Sequence, residues 1–190
     1  MKLAIADPPY PPSTAAGGPK RRATRWYAGD HGVATADRGA DNHPNAAEWD
    51  DPARHAALLA ELVEGYDGWA IATTPDGIAA YGPLPAGTRI MAWIKPGATP
   101  GAHRIQSCWE PVILYPPAGR RSSRTGGLGL RDVLTAAPPR TGFVGAKPAA
   151  WTHWVLEALG YCDDDELTDM FPGSGAVTAA AAQGRLGIDV

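Results

Sequence analysis

The chain has 190 residues and a mass of 19.9 kDa, enough for one domain with its own core and too few for two. A formal charge of −3 and a pI near 5.9 exclude a protein that coats nucleic acid or an anionic membrane through its overall field, so any polyanion contact must be local. Gly 23 plus Pro 19 makes 42 of the 190 positions, which beside 44% hydrophobic residues describes a loop-rich but folded globule.

Cys108 and Cys162 cannot staple a fold of this size, and neither has a Cys or His partner at zinc-ligand spacing. The five histidines show no mutual ligand spacing, so no metal site is expected. Met1 and Lys2 lead straight into Leu3-Ala4-Ile5-Ala6 with no signal-peptide pattern, and no apolar run approaches the roughly 18 residues of a membrane span. A reducing, cytoplasmic setting is the expectation.

In chain order, residues 2 to 6 predict a short buried strand, cut off by Asp7-Pro8-Pro9-Tyr10 and two further prolines that forbid a helix. From residue 11 to about residue 50 the chain is loop-like, with Lys20, Arg21, Arg22 and Arg25 followed by Trp26 and Tyr27; a stretch of that length predicts a mobile binding loop. Asp51-Pro52 reads as an N-cap with proline in the first turn, opening a helix with an apolar stripe of Leu58, Leu59, Leu62 and Val63 that Gly65 stops. Gly68 to Thr73, Arg89 to Ile94 and Pro111 to Tyr115 predict three strands. Residues 116 to 139 predict a second mobile loop carrying Arg120, Arg121 and Arg124. Lys147-Pro148 opens a helix with Trp151, Trp154, Val155, Ala158 and Leu159 at spacings of three and four, ending at Gly160. Strand Leu167 to Phe171, the turn Pro172-Gly173-Ser174-Gly175, an Ala-rich helix to about Gln183 and a strand Leu186 to Val190 complete a β-turn-α-β unit, the mark of a parallel sheet. The four acidic residues 163 to 166 are expected to be a solvated turn.

Two segments stand apart from this α/β background. Asp7-Pro8-Pro9-Tyr10 places a carboxylate, a backbone carbonyl freed by prolines and an aromatic ring at the C-terminal end of a strand, where open α/β sheets bind ligands. That corner suits a planar amine: Asp7 and the Pro8 carbonyl each accept an N–H while Tyr10 stacks on the heterocycle. A turn whose Asp caps the backbone and whose Tyr fills core is the alternative. The second segment, Asp169 to Gly175, has glycines that let a cofactor approach the backbone and leave helix N-terminal amides free. It lacks both the dinucleotide fingerprint and the Gly-Lys-Ser/Thr of a phosphate loop. Asp189, at the end of the next predicted strand, stands where an acid would accept from ribose hydroxyls; a solvated chain terminus is the alternative.

Together these residues resemble the permuted, beta-type amino-methyltransferases that use S-adenosylmethionine to modify adenine N6 or cytosine N4 in nucleic acid, in a short form. The resemblance spans nearly the whole chain and implies one Rossmann-like domain over residues 1 to 190. It implies a mostly parallel twisted sheet, helices on both faces, and no counterpart of the last strand of longer relatives. It implies that Asp7, Pro8 and Tyr10 are catalytic and that Lys147 holds the cofactor's amino-acid end. Asp169, Phe171, Gly173, Ser174 and Gly175 would form the cofactor loop, with Asp189 on its ribose. Phosphate contacts would fall to Lys20, Arg21, Arg22, Arg25, Arg120, Arg121 and Arg124. Aspartate at position 7, where cytosine N4 enzymes more often carry Ser, tips the analogy toward adenine, and DNA is the expected nucleic acid. Because the chain ends at Val190, a homodimer or partner subunit completing the cofactor pocket is also implied. Four alternatives stay open: a catalytically silent partner subunit that binds nucleic acid, a cytosine N4 enzyme, an RNA methyltransferase, and a methyltransferase for an amine on a protein or small molecule.

Overall fold

A computed structural model describes residues 1–11, 45–97, 107–120, 129–139, 145–173 and 175–183. In chain order these form β1 (Lys2–Ala6), α1 (Pro52–Gly65), β2 (Gly68–Ala72), β3 (Arg89–Ile94), β4 (Trp109–Tyr115), β5 (Val133–Thr135), α2 (Ala149–Leu159), β6 (Glu166–Asp169) and α3 (Ala176–Gln183). Short 3-10 turns lie at Ala46–Asp50 and Ile78–Tyr81.

The strands form a single sheet in the order β5-β3-β4-β2-β1-β6. β1 pairs in parallel with β2 and β6, β3 pairs in parallel with β5, and β4 runs antiparallel to both β2 and β3. The expected mostly parallel sheet is therefore mixed at one place, with β4 reversed among strands that otherwise share a direction. β1 and β2 are enclosed on both faces, which is why Leu3-Ala4-Ile5-Ala6 and Trp69-Ala70-Ile71-Ala72 are continuous apolar runs rather than alternating ones. Gly68 begins β2 because a Cβ there would lie 2.6 Å from Pro117 Cδ.

Helices cover both faces. On one, α1 presents Leu58, Leu59 and Leu62 to Ala4, Ala6, Trp69, Ile71 and Ile113. On the other, Trp151, Trp154, Val155 and Leu159 of α2 and Val177 of α3 cover Leu3, Ile5, Ala70, Met91 and Val112. Each fully buried leucine contributes about 1.5–3 kcal/mol of transfer free energy. α1 begins as the sequence predicts: Asp51 Oδ1 accepts from the Ala53 amide at 2.9 Å, with Pro52 in the first turn. α2 ends as predicted, with Gly160 in the left-handed region at φ 65 donating to the last turn.

Three expectations are corrected. Val63 does not join the buried stripe; it is 49% exposed, because the buried set His55, Leu58, Leu59 and Leu62 already spans the covered arc and Val63 lies beyond it. The 116 to 139 segment is not loop throughout: Val133–Thr135 forms an edge strand on β3, tied down by the Trp93 indole donating to Ala136 O and the Trp154 indole to Arg131 O. The acidic turn is not fully solvated, since the Asp165 side chain is buried. The strand predicted for Leu186 to Val190 lies outside the described residues.

Candidate active site

Connectivity points to the site first. From β1 the chain moves through α1 to β2 on one side, while β6 pairs on the other side of β1, so the sheet changes winding direction between β1 and β6. Crevices outside the C-terminal ends of strands at such a switch point are where open α/β sheets take ligands. Asp7 follows β1 and Met170 follows β6. The two are in register, with Ile5 opposite Asp169 and the Met170 amide donating to Ile5 O at 3.0 Å.

Around Asp7 the side chains form a charged cluster. Lys147, immediately ahead of α2, places its ammonium 2.8 and 2.7 Å from the two Asp7 oxygens, 2.9 Å from the Tyr10 oxygen and 3.0 Å from Gly145 O. Tyr10 donates its hydroxyl to Glu110 Oε2 at 2.9 Å, and the other Glu110 oxygen accepts from Lys95. The Trp93, Trp151 and Tyr10 rings surround the Lys147 ammonium at 5.3 to 6.0 Å from their centroids. Two cations and two carboxylates balance, so the cluster carries its charge without a large net field. Burial pushes the Asp7 carboxyl above its ordinary value; Lys147 opposes the shift, and the Glu110 charge adds to it.

The second element is the bend after β6. Asp169 Oδ1 accepts from the Phe171 amide at 3.3 Å, while its Oδ2 is buried with no hydrogen-bond partner among the described residues. Burial raises the Asp169 carboxyl, and the Asp7 charge raises it further, which places the two acids within electrostatic reach of each other. Gly173 and Gly175 take φ of 37 and 72, conformations that L side chains adopt only with strain. The Trp49 ring meets Phe171 edge-on at 5.0 Å. Behind it, His55 is locked as one tautomer: Trp49 O accepts from Nε2, so Nδ1 accepts from the Tyr81 hydroxyl. Desolvation lowers the pKa of His55.

The structure thus gathers Asp7, Pro8, Tyr10 and Lys147 at one strand end and Asp169, Phe171, Gly173 and Gly175 at its neighbour. Lys147, expected at the cofactor's amino-acid end, has its ammonium committed to Asp7 instead. Arg120 does not join the site. Its guanidinium bonds Asp165 Oδ1 at 2.7 Å, just ahead of β6 and so at the opposite end of the sheet, and it also reaches Gly160 O and Cys162 Sγ. The expected phosphate contact at Arg120 is corrected accordingly. Lys20, Arg21, Arg22, Arg25, Arg121, Arg124, Ser174 and Asp189 lie outside the described residues.

Glu110 and Lys95 are site residues to which sequence reasoning assigned no role, although their segments echo ones in the family that the chain resembles. Their signal was present: each is a charge at the end of an apolar strand, in Trp93-Ile94-Lys95 and Trp109-Glu110-Pro111, and β4 runs antiparallel, so both ends fall beside the end of β1.

No protein-family model matches the chain, and no curated protein matches it. Among solved structures it is similar to the crystal structure of the M1.HpyAVI–SAM complex, with a TM-score of 0.53 at 18% sequence identity, over 96% of this chain and 78% of that one. The likeness is one of fold, and it agrees with the α/β, Rossmann-like architecture expected from the sequence. Among the described residues no helix is long and apolar enough to cross a membrane.

Proposed function

We propose that this chain is an S-adenosylmethionine-dependent methyltransferase acting on the exocyclic amine of a base in nucleic acid, adenine N6 in DNA. One observation carries the reading. An acidic proline-aromatic corner and a glycine bend, far apart in sequence, end adjacent parallel strands at the sheet's switch point. The fold shared with a SAM complex supports it.

The bend fits the cofactor on two counts: Asp169 Oδ2 is a buried acceptor lacking a donor among the described residues, and two glycines hold the backbone open to close approach. Asp169, Phe171, Gly173, Ser174 and Gly175 would hold it, with Asp189 on the ribose hydroxyls. When bound, the cofactor supplies a methyl on a sulfonium and carries away the leaving electrons.

The chain's own task is to make a poor nucleophile attack. The lone pair of an aromatic amine is delocalised into its ring. Hydrogen bonds from both N–H groups to Asp7 and the Pro8 carbonyl favour the pyramidal geometry and stabilise the positive charge that develops in the transition state. Asp7 is an orienter and electrostatic stabiliser. The Tyr10 phenol is tied to Glu110 and Lys147, which holds its ring in one orientation for stacking on the base. Because a duplex hides the amine, the base must be flipped or already single-stranded. Lys20, Arg21, Arg22, Arg25, Arg121 and Arg124 are the proposed phosphate contacts.

The test is transfer of tritiated methyl from the cofactor to DNA and to RNA, followed by nucleoside analysis, with Asp7→Ala as control. N6-methyladenine from DNA, lost in Asp7→Ala, is the expected result. Label in N4-methylcytosine or in RNA would revise the substrate, and cofactor binding without transfer would make the chain a silent subunit.

A further inference from the structure

Lys147 stands in the place that the proposed reaction needs open. Its ammonium has three N–H donors, and the contacts use all of them, on the Asp7 carboxylate, the Tyr10 oxygen and Gly145 O. A target amine that donates to Asp7 must compete with this ammonium for the same two oxygens. The competition worsens as the reaction proceeds, because attack on the methyl puts positive charge on the amine nitrogen beside a cation already there.

A second carboxylate waits next to it. Glu110 Oε2 lies 3.8 Å from Lys147 Nζ, an ionic contact about 1 Å longer than a usual charge-assisted hydrogen bond. Glu110 is itself fixed, with Lys95 on one oxygen and the Tyr10 hydroxyl on the other. The Lys147 side chain is only 4% exposed, so it cannot carry its charge out to water when it leaves Asp7. Glu110 offers an anion within reach of a small rotation.

We propose that Lys147 is an exchanging counter-ion and that Glu110 is its second seat. At rest Lys147 caps Asp7 and satisfies a carboxylate that would otherwise be desolvated alone. When the target amine enters, the ammonium moves to Glu110, and Asp7 receives the amine N–H with its negative charge unshielded. Glu110 is thus a positioning residue for methyl transfer, acting through Lys147. The exchange makes and breaks no covalent bond; it only changes hydrogen-bond partners. It rests on the methyl-transfer reading above.

Glu110→Gln keeps the shape and removes the charge that attracts Lys147. In the full-length protein it is expected to lower kcat for an adenine-containing oligodeoxynucleotide about 10- to 100-fold, as for other misplacements of about an ångström near the chemistry. Cofactor affinity by calorimetry should stay within about twofold, since Glu110 bonds Tyr10 and Lys95 and faces Lys147, none of which lies on the bend after β6. Glu110→Asp should recover part of the rate. The decisive comparison is the double variant. Lys147→Met removes the competing cation, so Glu110→Gln should cost little further in that background, and oligonucleotide affinity measured by anisotropy should rise relative to Glu110→Gln alone. Full activity in Glu110→Gln, or an undiminished loss on adding it to Lys147→Met, would overturn the exchange while leaving methyl transfer intact. A wild-type protein that labels no polynucleotide would overturn the functional reading and the exchange together.

Discussion

The two ends of the central strands are built from the same materials to opposite effect. At the N-terminal end Asp165, its side chain fully buried, accepts from the N-terminal ammonium at 2.9 Å, from Arg120 at 2.7 Å and from the Cys162 amide at 2.8 Å. Burial works against its charge, but those hydrogen bonds outweigh it and hold the carboxyl below its ordinary value. At the C-terminal end the Asp7 side chain is 27% exposed, its carboxyl is shifted upward, and Asp169 beside it keeps a buried oxygen without a donor among the described residues. A carboxylate with three donors, two of them cations, stabilises a fold; one with an oxygen left unanswered among the described residues, at a strand end, is a place for a ligand.

That contrast fails most visibly if the two acids can be exchanged in effect. Asp7→Ala should cost methyl transfer about 10³-fold, the order expected for loss of a preorganised electrostatic group. Its stability should fall by less than that of Asp165→Ala, since the buried Lys147 ammonium it strands has Glu110 within reach. A large loss of stability with activity retained would invert the comparison. Asp165→Ala should do the reverse and lower stability by about 2–3 kcal/mol, because it strands donors that Asp165 had answered. Its kcat, measured below its melting temperature, should match wild type. Asp169→Asn is the intermediate case: cofactor affinity by calorimetry should fall about tenfold, with stability unchanged or slightly raised, because the group it replaces has a raised carboxyl.

How far the sequence carried this contrast depends on the range of each interaction. Local signals were legible: the Asp51-Pro52 cap, the Gly160 stop and the uninterrupted apolar run of β1 each involve neighbours within a turn. The acidic corner and the glycine bend could be singled out as chemistry because each is compact in sequence. What joins them is not local. Lys147 reaches Asp7 across 140 positions and Tyr10 reaches Glu110 across 100, so the ion pair that dominates the site is set by strand order, which no window of residues reports. The same limit explains Arg120 and Asp165. Both sit in polar runs that read as solvated, and only their convergence at one end of β6 takes the carboxylate out of water. The edge strand β5 was missed for a different reason: three residues are too few to show alternation, and its place is fixed by indole hydrogen bonds from Trp93 and Trp154.

The smallest expected effect is on pH dependence, and there the two ends should differ in sign. Asp165 has a folded pKa below its unfolded one, so its contribution is complete above the ordinary carboxylate value of about 3.9 and is lost as pH falls through the depressed value. His55, also depressed, stays neutral in the fold where the unfolded chain takes a proton, so stability declines as pH drops below about 6.5. Asp7 and Asp169 run the other way. The folded state binds their protons more readily, so protonation favours the fold and its contribution is lost as pH rises through their raised values. Acid should therefore silence the proposed methyl transfer before protonation of the carboxylates unfolds the chain. The acid limb of kcat/KM, which reports the free enzyme, should fall above about pH 4, at values where circular dichroism still shows native structure. An acid limb at or below the ordinary carboxylate value would mean that Asp7 is answered as fully as Asp165, and the distinction between the two ends of the sheet would not hold.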